Sequence, residues 1–248
     1  MDLGITGRSA IVCGAATDLG RACAIALSEE GVQVTAADDQ PLVDLPGCHT
    51  VTCDVRDESG RCSLLEACPE PDILINHAPG PPMGDFRQWS HDDWQMALAS
   101  NMLSAIELIK GVIDGMTRRG FGRIVNITSQ SVRAPMANLD LSNAARAGLT
   151  GFVGGVARER RTADVTINNL LPGLFDTVPL RRHVEAQARN DDAPVSDVMA
   201  KFAANVPLAR IGRPEEFGAT CVFLCGCQAG FINGQNILVD GGAFPGLI

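Results

Sequence analysis

The stretch SAIVCGAATDLGRACAIALSEEGVQVTAAD, Ser9 to Asp38, decides the fold. Ser9 to Ala15 is a short apolar run of strand length, and a glycine-bearing turn follows it. Gly20 to Gly31 carries apolar residues at helical spacing and closes on a glycine, and Val32 to Asp38 is a second strand-like run. A helix between two strands returns the chain to its starting end, which makes the strands parallel. The cycle then recurs. HTVTCDV (His49 to Val55), DILINHA (Asp72 to Ala78), GRIVNITS (Gly122 to Ser129), VTINNLLPG (Val165 to Gly173) and NILVDGG (Asn236 to Gly242) read as later strands. Helices are expected over Trp94 to Arg118 and Leu141 to Arg160. This alternation predicts one α/β domain over residues 1–248, a Rossmann-like doubly wound parallel sheet covered on both faces.

Within the opening stretch, CGAATDLG (Cys13 to Gly20) ends the first strand and opens the first helix, the context that a dinucleotide-binding turn requires. Gly14 permits a tight turn and Gly20 lets the helix pack on the strand. Free N–H groups at the helix start, where Asp18 and Leu19 lie, can hold a pyrophosphate. Asp38 ends the second strand, where a carboxylate accepts from ribose hydroxyls and repels a 2′-phosphate, so NAD is favoured over NADP. No arginine follows immediately to receive that phosphate. Capping a turn is the other role open to Asp38 and Asp39.

Composition narrows the class. A chain of 248 residues that is 46% hydrophobic can bury a large core, and a net charge of −9 argues against a nucleic-acid partner, which needs Lys and Arg against phosphate. The nine cysteines are odd in number and lie mostly in apolar runs, which reads as reduced thiols in the core and a cytoplasmic location. Cys221, Cys225 and Cys227 lack the paired spacing of a structural zinc site, so no metal is expected. No signal-like or membrane-length apolar run is read, and Asp2 and Arg8 interrupt the first residues. Val178 to Pro207 breaks the rhythm. Polar, with Arg181, Arg182, Asn190, Asp191 and Asp192, it reads as a mobile substrate-side segment or as a solvated helix pair.

Motifs from Gly7 to Gly242 resemble the short-chain dehydrogenase/reductase family. The family's Thr-Gly-x-x-x-Gly-x-Gly loop is similar to Cys13, Gly14, Asp18 and Gly20, with Asp18 in place of a glycine. Its adenine-side Asp-Val pair matches Asp54 and Val55, and its Asn-Asn-Ala-Gly motif is similar to NHAP, Asn76 to Pro79, where Ala78 is kept and His77 and Pro79 depart. The helix asparagine matches Asn101, the catalytic serine Ser129, and the Pro-Gly segment Pro172 and Gly173, with Thr177 beyond. RIGRPEEF and FINGQNILVDGG resemble the C-terminal signature. The resemblance implies a nicotinamide cofactor, a small-molecule substrate and a homo-oligomer, a tetramer or dimer.

One departure bears on chemistry. LSNAARAG, Leu141 to Gly148, puts Ser142 and Arg146 where the resemblance implies a catalytic tyrosine and lysine, and the chain contains no tyrosine. The register holds: Ser142 follows Ser129 by the family's thirteen residues, and Ser142 and Arg146 share a helix face. A serine hydroxyl is far less acidic than a phenol and reaches less far, while Arg146 keeps a positive charge and releases no proton near neutrality. A water held by Ser129, Ser142 and Asn101 could relay the proton, or His77, His183 or Asp140 could supply it. The expectation is NAD-dependent oxidoreduction of a hydroxyl or carbonyl group at a non-standard site. The alternatives are a lyase, hydratase or hydrolase that uses Ser129, Ser142 and Arg146 on an oxyanion, or an inactive nucleotide-binding or oligomer partner. Arg133, Arg181 and Arg182 are candidates for an anionic substrate.

Overall fold

A computed structural model describes residues 2–43, 45–159 and 163–247. In chain order the elements are β1 (Ser9–Cys13), α1 (Asp18–Glu29), β2 (Gln33–Asp38), β3 (Cys48–Thr52), α2 (Glu58–Ala67), β4 (Ile73–Asn76), α3 (His91–Leu98), α4 (Ser104–Arg119), β5 (Phe121–Ile127), α5 (Asp140–Val156), β6 (Asp164–Pro172), α6 (Val178–Asn190), α7 (Val195–Ala204), α8 (Pro214–Cys225) and β7 (Asn236–Val239). The strands form one parallel sheet in the order β3-β2-β1-β4-β5-β6-β7. This is the expected doubly wound α/β fold. The expected helix end at Arg160 lies outside the described residues, and α5 is described to Val156.

Strands buried on both faces need apolar residues at successive positions, and adjacent residues divide between two cores. Val12, Ile75 and Val125 join Cys23 and Leu27 of α1 and Phe217 and Cys221 of α8 on one face. Ile11, Leu74 and Ile124 join Leu108 and Val112 of α4 and Leu149 and Val153 of α5 on the other. Strand order reverses between β1 and β4, which opens a crevice at the carboxyl ends of these two strands.

Some expectations change. A π-helical turn, Ala99–Leu103, joins α3 to α4, so the helix runs from His91 to Arg119. By length and composition it is long and apolar enough to cross a membrane, a run the sequence reading passed over. Its Leu108, Ile109, Val112 and Met116 lie in the core against the sheet. Cys221 and Cys225 are core thiols, whereas Cys227 is exposed. Residues 178–207 contain the helix pair α6 and α7, packed through Val184, Ala188 and Val198.

Asparagines also pair across the sheet. Asn76, Asn126, Asn169 and Asn236 are in register on β4 to β7. Asn76 Nδ2 donates to Asn126 Oδ1 at 2.9 Å, Asn126 Nδ2 to Asn169 Oδ1 at 3.2 Å, and Asn169 Nδ2 to Asn236 Oδ1 at 2.7 Å. Buried amides need partners, and this ladder supplies most of them side by side, with Asn76 Oδ1 left unpartnered among the described residues. Asn126→Ala would strand a donor on Asn76 and an acceptor on Asn169. Urea unfolding should show a loss of about 2–4 kcal/mol, and a loss near zero would mean that the ladder contributes nothing.

Candidate active site

The crevice is built by the turn after β1. Gly14 has φ +68°, and a Cβ there would stand 2.7 Å from the main-chain oxygen of His77 on the β4 side. A Cβ on Gly20 would stand 2.1 Å from the oxygen of Gly14. Only glycine allows either approach. Thr17 caps α1: its hydroxyl donates to Gly14 O at 2.7 Å and accepts from Gly20 N at 3.1 Å. Among the described residues the N–H groups of Asp18 and Leu19 meet no acceptor, as the first turn of a helix leaves them. They fit an anion such as a pyrophosphate. The carboxylate of Asp18 turns aside, accepting from Val178 N of α6 at 2.9 Å.

Asp38 closes β2 with both oxygens engaged: Oδ2 accepts from Ala16 N and Oδ1 from Gln40 N, each at 3.0 Å. Burial raises its pKa above the ordinary carboxylate value, while these two N–H groups pull it down. After β3, Asp54 is clasped by Arg56, whose Nε and Nη2 approach its carboxylate at 2.5–2.9 Å. This clasp holds the Asp54 carboxyl below its usual range. Gly14, Asp38, Asp54, Val55 and Ala78 line one pocket of about 90 Å³.

The other half of the cleft centres on Arg146. Its guanidinium is buried, donating from Nε to Ser142 Oγ at 3.2 Å, from Nη1 to the carbonyls of Ile127 (3.0 Å) and Thr128 (2.6 Å), and from Nη2 to the carbonyl of Ala78 (3.1 Å). Burial lowers its pKa to about 10, so it stays charged at neutral pH. Ser142 lies one turn before it, also buried, and Ser129 sits at the exit of β5, its hydroxyl accepting from Ser131 N at 3.1 Å. Asn101 lies in the π-helical turn with a buried, unpartnered Oδ1; such turns are frequent at functional sites. Asn76, His77, Ala78, Asn101 and Arg146 line a void of about 20 Å³. Neither Ser129 nor Ser142 reaches it, so it is not the place expected for a relay water held by those hydroxyls. Pro172 and Gly173 bring β6 to the same edge, where Gly173 N donates to Val239 O at 2.9 Å, and Thr177 caps α6.

Among the described residues, none of the three alternative acids is hydrogen-bonded to the Ser142 side chain. His77, largely but not fully buried, has its pKa lowered to about 3 by desolvation and then by the Arg146 charge. It is a neutral ring at working pH. His183 stacks edge-on to Phe202 at 5.7 Å between α6 and α7, and Asp140 lies two residues before Ser142 on another helix face. Two candidate anion-binding arginines are engaged internally: Arg181 is bidentate to Asp176 at 2.7 and 2.9 Å, and Arg133 donates to Asn236 O at 3.3 Å.

Residues 14–243 match the family model described as enoyl-(acyl carrier protein) reductase. The chain belongs to the short-chain dehydrogenase/reductase family. It is 34% identical over 177 residues to acetoacetyl-CoA reductase of Cupriavidus necator, covering 71% of this chain and 68% of that protein. It is 30% identical to 3-oxoacyl-(acyl-carrier-protein) reductase FabG of Vibrio harveyi, covering 98% of this chain and 99% of that protein. L-sorbose reductase of Gluconobacter frateurii, solved with NADPH and L-sorbose, superposes with TM-score 0.92 at 25% identity over the whole of both chains.

Against that short-chain dehydrogenase/reductase background, sequence reading missed two groups in the cleft. Thr17 was given no role, although Thr three residues before Gly20 is an N-cap signal. Arg56 reaches its place only through the fold. His77 also yields a stability prediction. Its pKa falls from an ordinary 6.5 in the unfolded chain to about 3 in the fold, so its contribution is present above pH 6.5 and lost as pH falls toward 3. Between pH 6.5 and 5 this single group should account for about 2 kcal/mol. Urea unfolding of His77→Asn should lack that part of the pH dependence, and an unchanged slope would refute the assignment.

Proposed function

We propose that the protein is an NAD-preferring oxidoreductase acting on a hydroxyl or carbonyl group of a small molecule, with Ser142 and Arg146 standing where the family keeps tyrosine and lysine. The observation that carries the cofactor preference is the double anchoring of Asp38 by Ala16 and Gln40. It fixes a carboxylate where ribose hydroxyls donate and a 2′-phosphate meets negative charge. The NADPH bound by L-sorbose reductase makes NADP the competing cofactor, and Asp38 with Asp39 argues against it.

Bound NAD supplies a hydride acceptor, or NADH a donor, beside the substrate carbon. The chain supplies the remaining groups. Gly14 and Gly20 shape the turn, and the N–H groups of Asp18 and Leu19 hold the pyrophosphate. Asp54 and Val55 would hold the adenine side of the cofactor, and Asn76, Ala78, Pro172, Gly173 and Thr177 would hold its nicotinamide half. Ser129 orients the substrate oxygen, and Asn101 offers its unpartnered Oδ1 from the π-helical turn. Because Ser142 Oγ accepts from Arg146, its own hydrogen is free to be donated toward a substrate oxygen. Arg146 stabilises negative charge that develops on that oxygen. The proton given up by Ser142 returns from solvent. We further propose a cytoplasmic homo-oligomer, a dimer or tetramer, supported by fully exposed Phe231 and Leu247, which an interface would cover.

A specific observation favours a second reading, a dinucleotide-binding protein or non-redox enzyme. Four donations of Arg146 are spent within the fold, and among the described residues no acid is hydrogen-bonded to the Ser142 hydroxyl. Calorimetry and turnover separate the two. NADH should bind several-fold more tightly than NADPH, and Ser142→Ala and Arg146→Lys should each lower kcat by about ten- to a thousandfold. Full turnover in both variants would remove the pair from catalysis, and tight NADPH binding would overturn the Asp38 reading.

A further inference from the structure

The adenosine end of the cleft holds a charge arrangement that the proposed chemistry leaves unused. Arg56 follows the Asp54-Val55 pair and folds back on it. Its main-chain N–H donates to Asp54 Oδ1 at 2.8 Å, and Nε meets Oδ1 at 2.8 Å and Oδ2 at 2.9 Å. Nη2 donates to Oδ2 at 2.5 Å. The same Nη2 reaches Asp39 Oδ2 at 3.3 Å, so one guanidinium spans the exits of β3 and β2. Nη1 rests on Met96 Sδ at 3.2 Å, a weak acceptor.

The two carboxylates hold Arg56 unequally. Asp54 grips it in a bidentate, charge-assisted pair whose planar geometry fixes the guanidinium. Asp39 has its side chain 44% exposed and touches one nitrogen at the long end of the range, a contact worth little in water. Asp39 nevertheless takes the second hydrogen of Nη2 and places a negative charge beside it. Asp38, Asp39, Asp54 and Arg56 line the same pocket. A cation therefore stands at this end of the cleft, positioned by one acid and screened by another.

We infer that Arg56 is a specificity-determining residue for the cofactor: Asp54 fixes its guanidinium beside the adenosine ribose, and Asp39 withholds it from a 2′-phosphate. This rests on the dinucleotide reading of the cleft. A phosphate is the anion that a guanidinium fork binds best. While Asp39 is present, that anion must displace a carboxylate that remains tethered nearby and repels it. With Asp39 neutralised, Nη2 is free to donate to phosphate oxygens without any movement of Asp54.

Calorimetric titration of NAD and NADP into the wild type, Asp39→Asn, Arg56→Ala and the double variant tests this, with Arg56→Lys as a variant that keeps the charge and loses the fork. Asp39→Asn should tighten NADP binding by about tenfold and leave NAD within about twofold. In the double variant most of that gain should vanish, and Asp39→Asn with Arg56→Lys should keep part of it. An equal gain with and without Arg56 would show simple relief of repulsion and overturn the inference, as would no gain at all. Wild-type protein that binds neither cofactor would overturn the dinucleotide reading and the inference together. NAD binding that is indifferent to every Arg56 variant, with NADP still excluded after Asp39→Asn, would overturn the inference alone.

Discussion

Arg146 buries a positive charge where desolvation acts on it, and no carboxylate among the described residues pairs with it. Such a charge is tolerated only when its donors are met, and here they are met by the carbonyl ends of two strands and one hydroxyl. Ile127 and Thr128 leave β5, and Ala78 leaves β4. Their oxygens converge on one planar group, so the two loops that frame the crevice are held at a fixed separation. The same cation disfavours protonation of His77, which stays a neutral packing group between these loops. A lysine has a compact head with three donors and cannot reach four acceptors spread around a plane. Arginine at this position thus serves the architecture of the cleft as well as its charge.

The opposite wall depends on absence of side chains. Gly14 passes close to the His77 carbonyl, and Gly20 passes close to Gly14, which lets β1, β4 and the start of α1 meet at the strand-order reversal. Along the same carboxyl edge the sheet changes character. Apolar residues fill β4 as far as Asn76, and in β5 Ile124 and Val125 lead to Asn126, where the amide ladder runs across the sheet. The Nδ2 groups of Asn76, Asn126 and Asn169 are paired sideways within the sheet, and the loops begin beyond them.

Much of this was legible in sequence because it rests on local signals. Apolar runs bounded by glycine found the strands, and the turn after β1 was readable from Gly14 and Gly20. Two helices were not found, for different reasons. In α8 the buried residues Phe217, Gly218, Cys221, Val222, Leu224 and Cys225 leave little polar face to mark a period. In α2 only Leu64 is buried, so no apolar stripe exists to see. The ion pairs were hidden more deeply. Arg56 is two residues from Asp54 but seventeen from Asp39, and only the parallel pairing of β2 with β3 brings Asp39 within its reach.

Asp18 shows how a departure from a motif can be absorbed. A helix N-terminus carries partial positive charge and unpaired N–H groups, and both favour an anion. Asp18 sits in the first turn of α1 and accepts from the first N–H of α6, so one carboxylate serves the positive ends of two helices. In a family member with glycine here, those ends would wait for phosphate oxygens. In this chain part of that demand is met internally, and the α6–α7 pair is tied to the turn before any ligand arrives. Preorganisation of this kind reduces the ordering cost of binding an anion at this turn, while a fixed carboxylate nearby reduces the electrostatic gain. The two effects oppose each other in the same side chain, which is held on Val178 N and away from the free N–H groups of the turn.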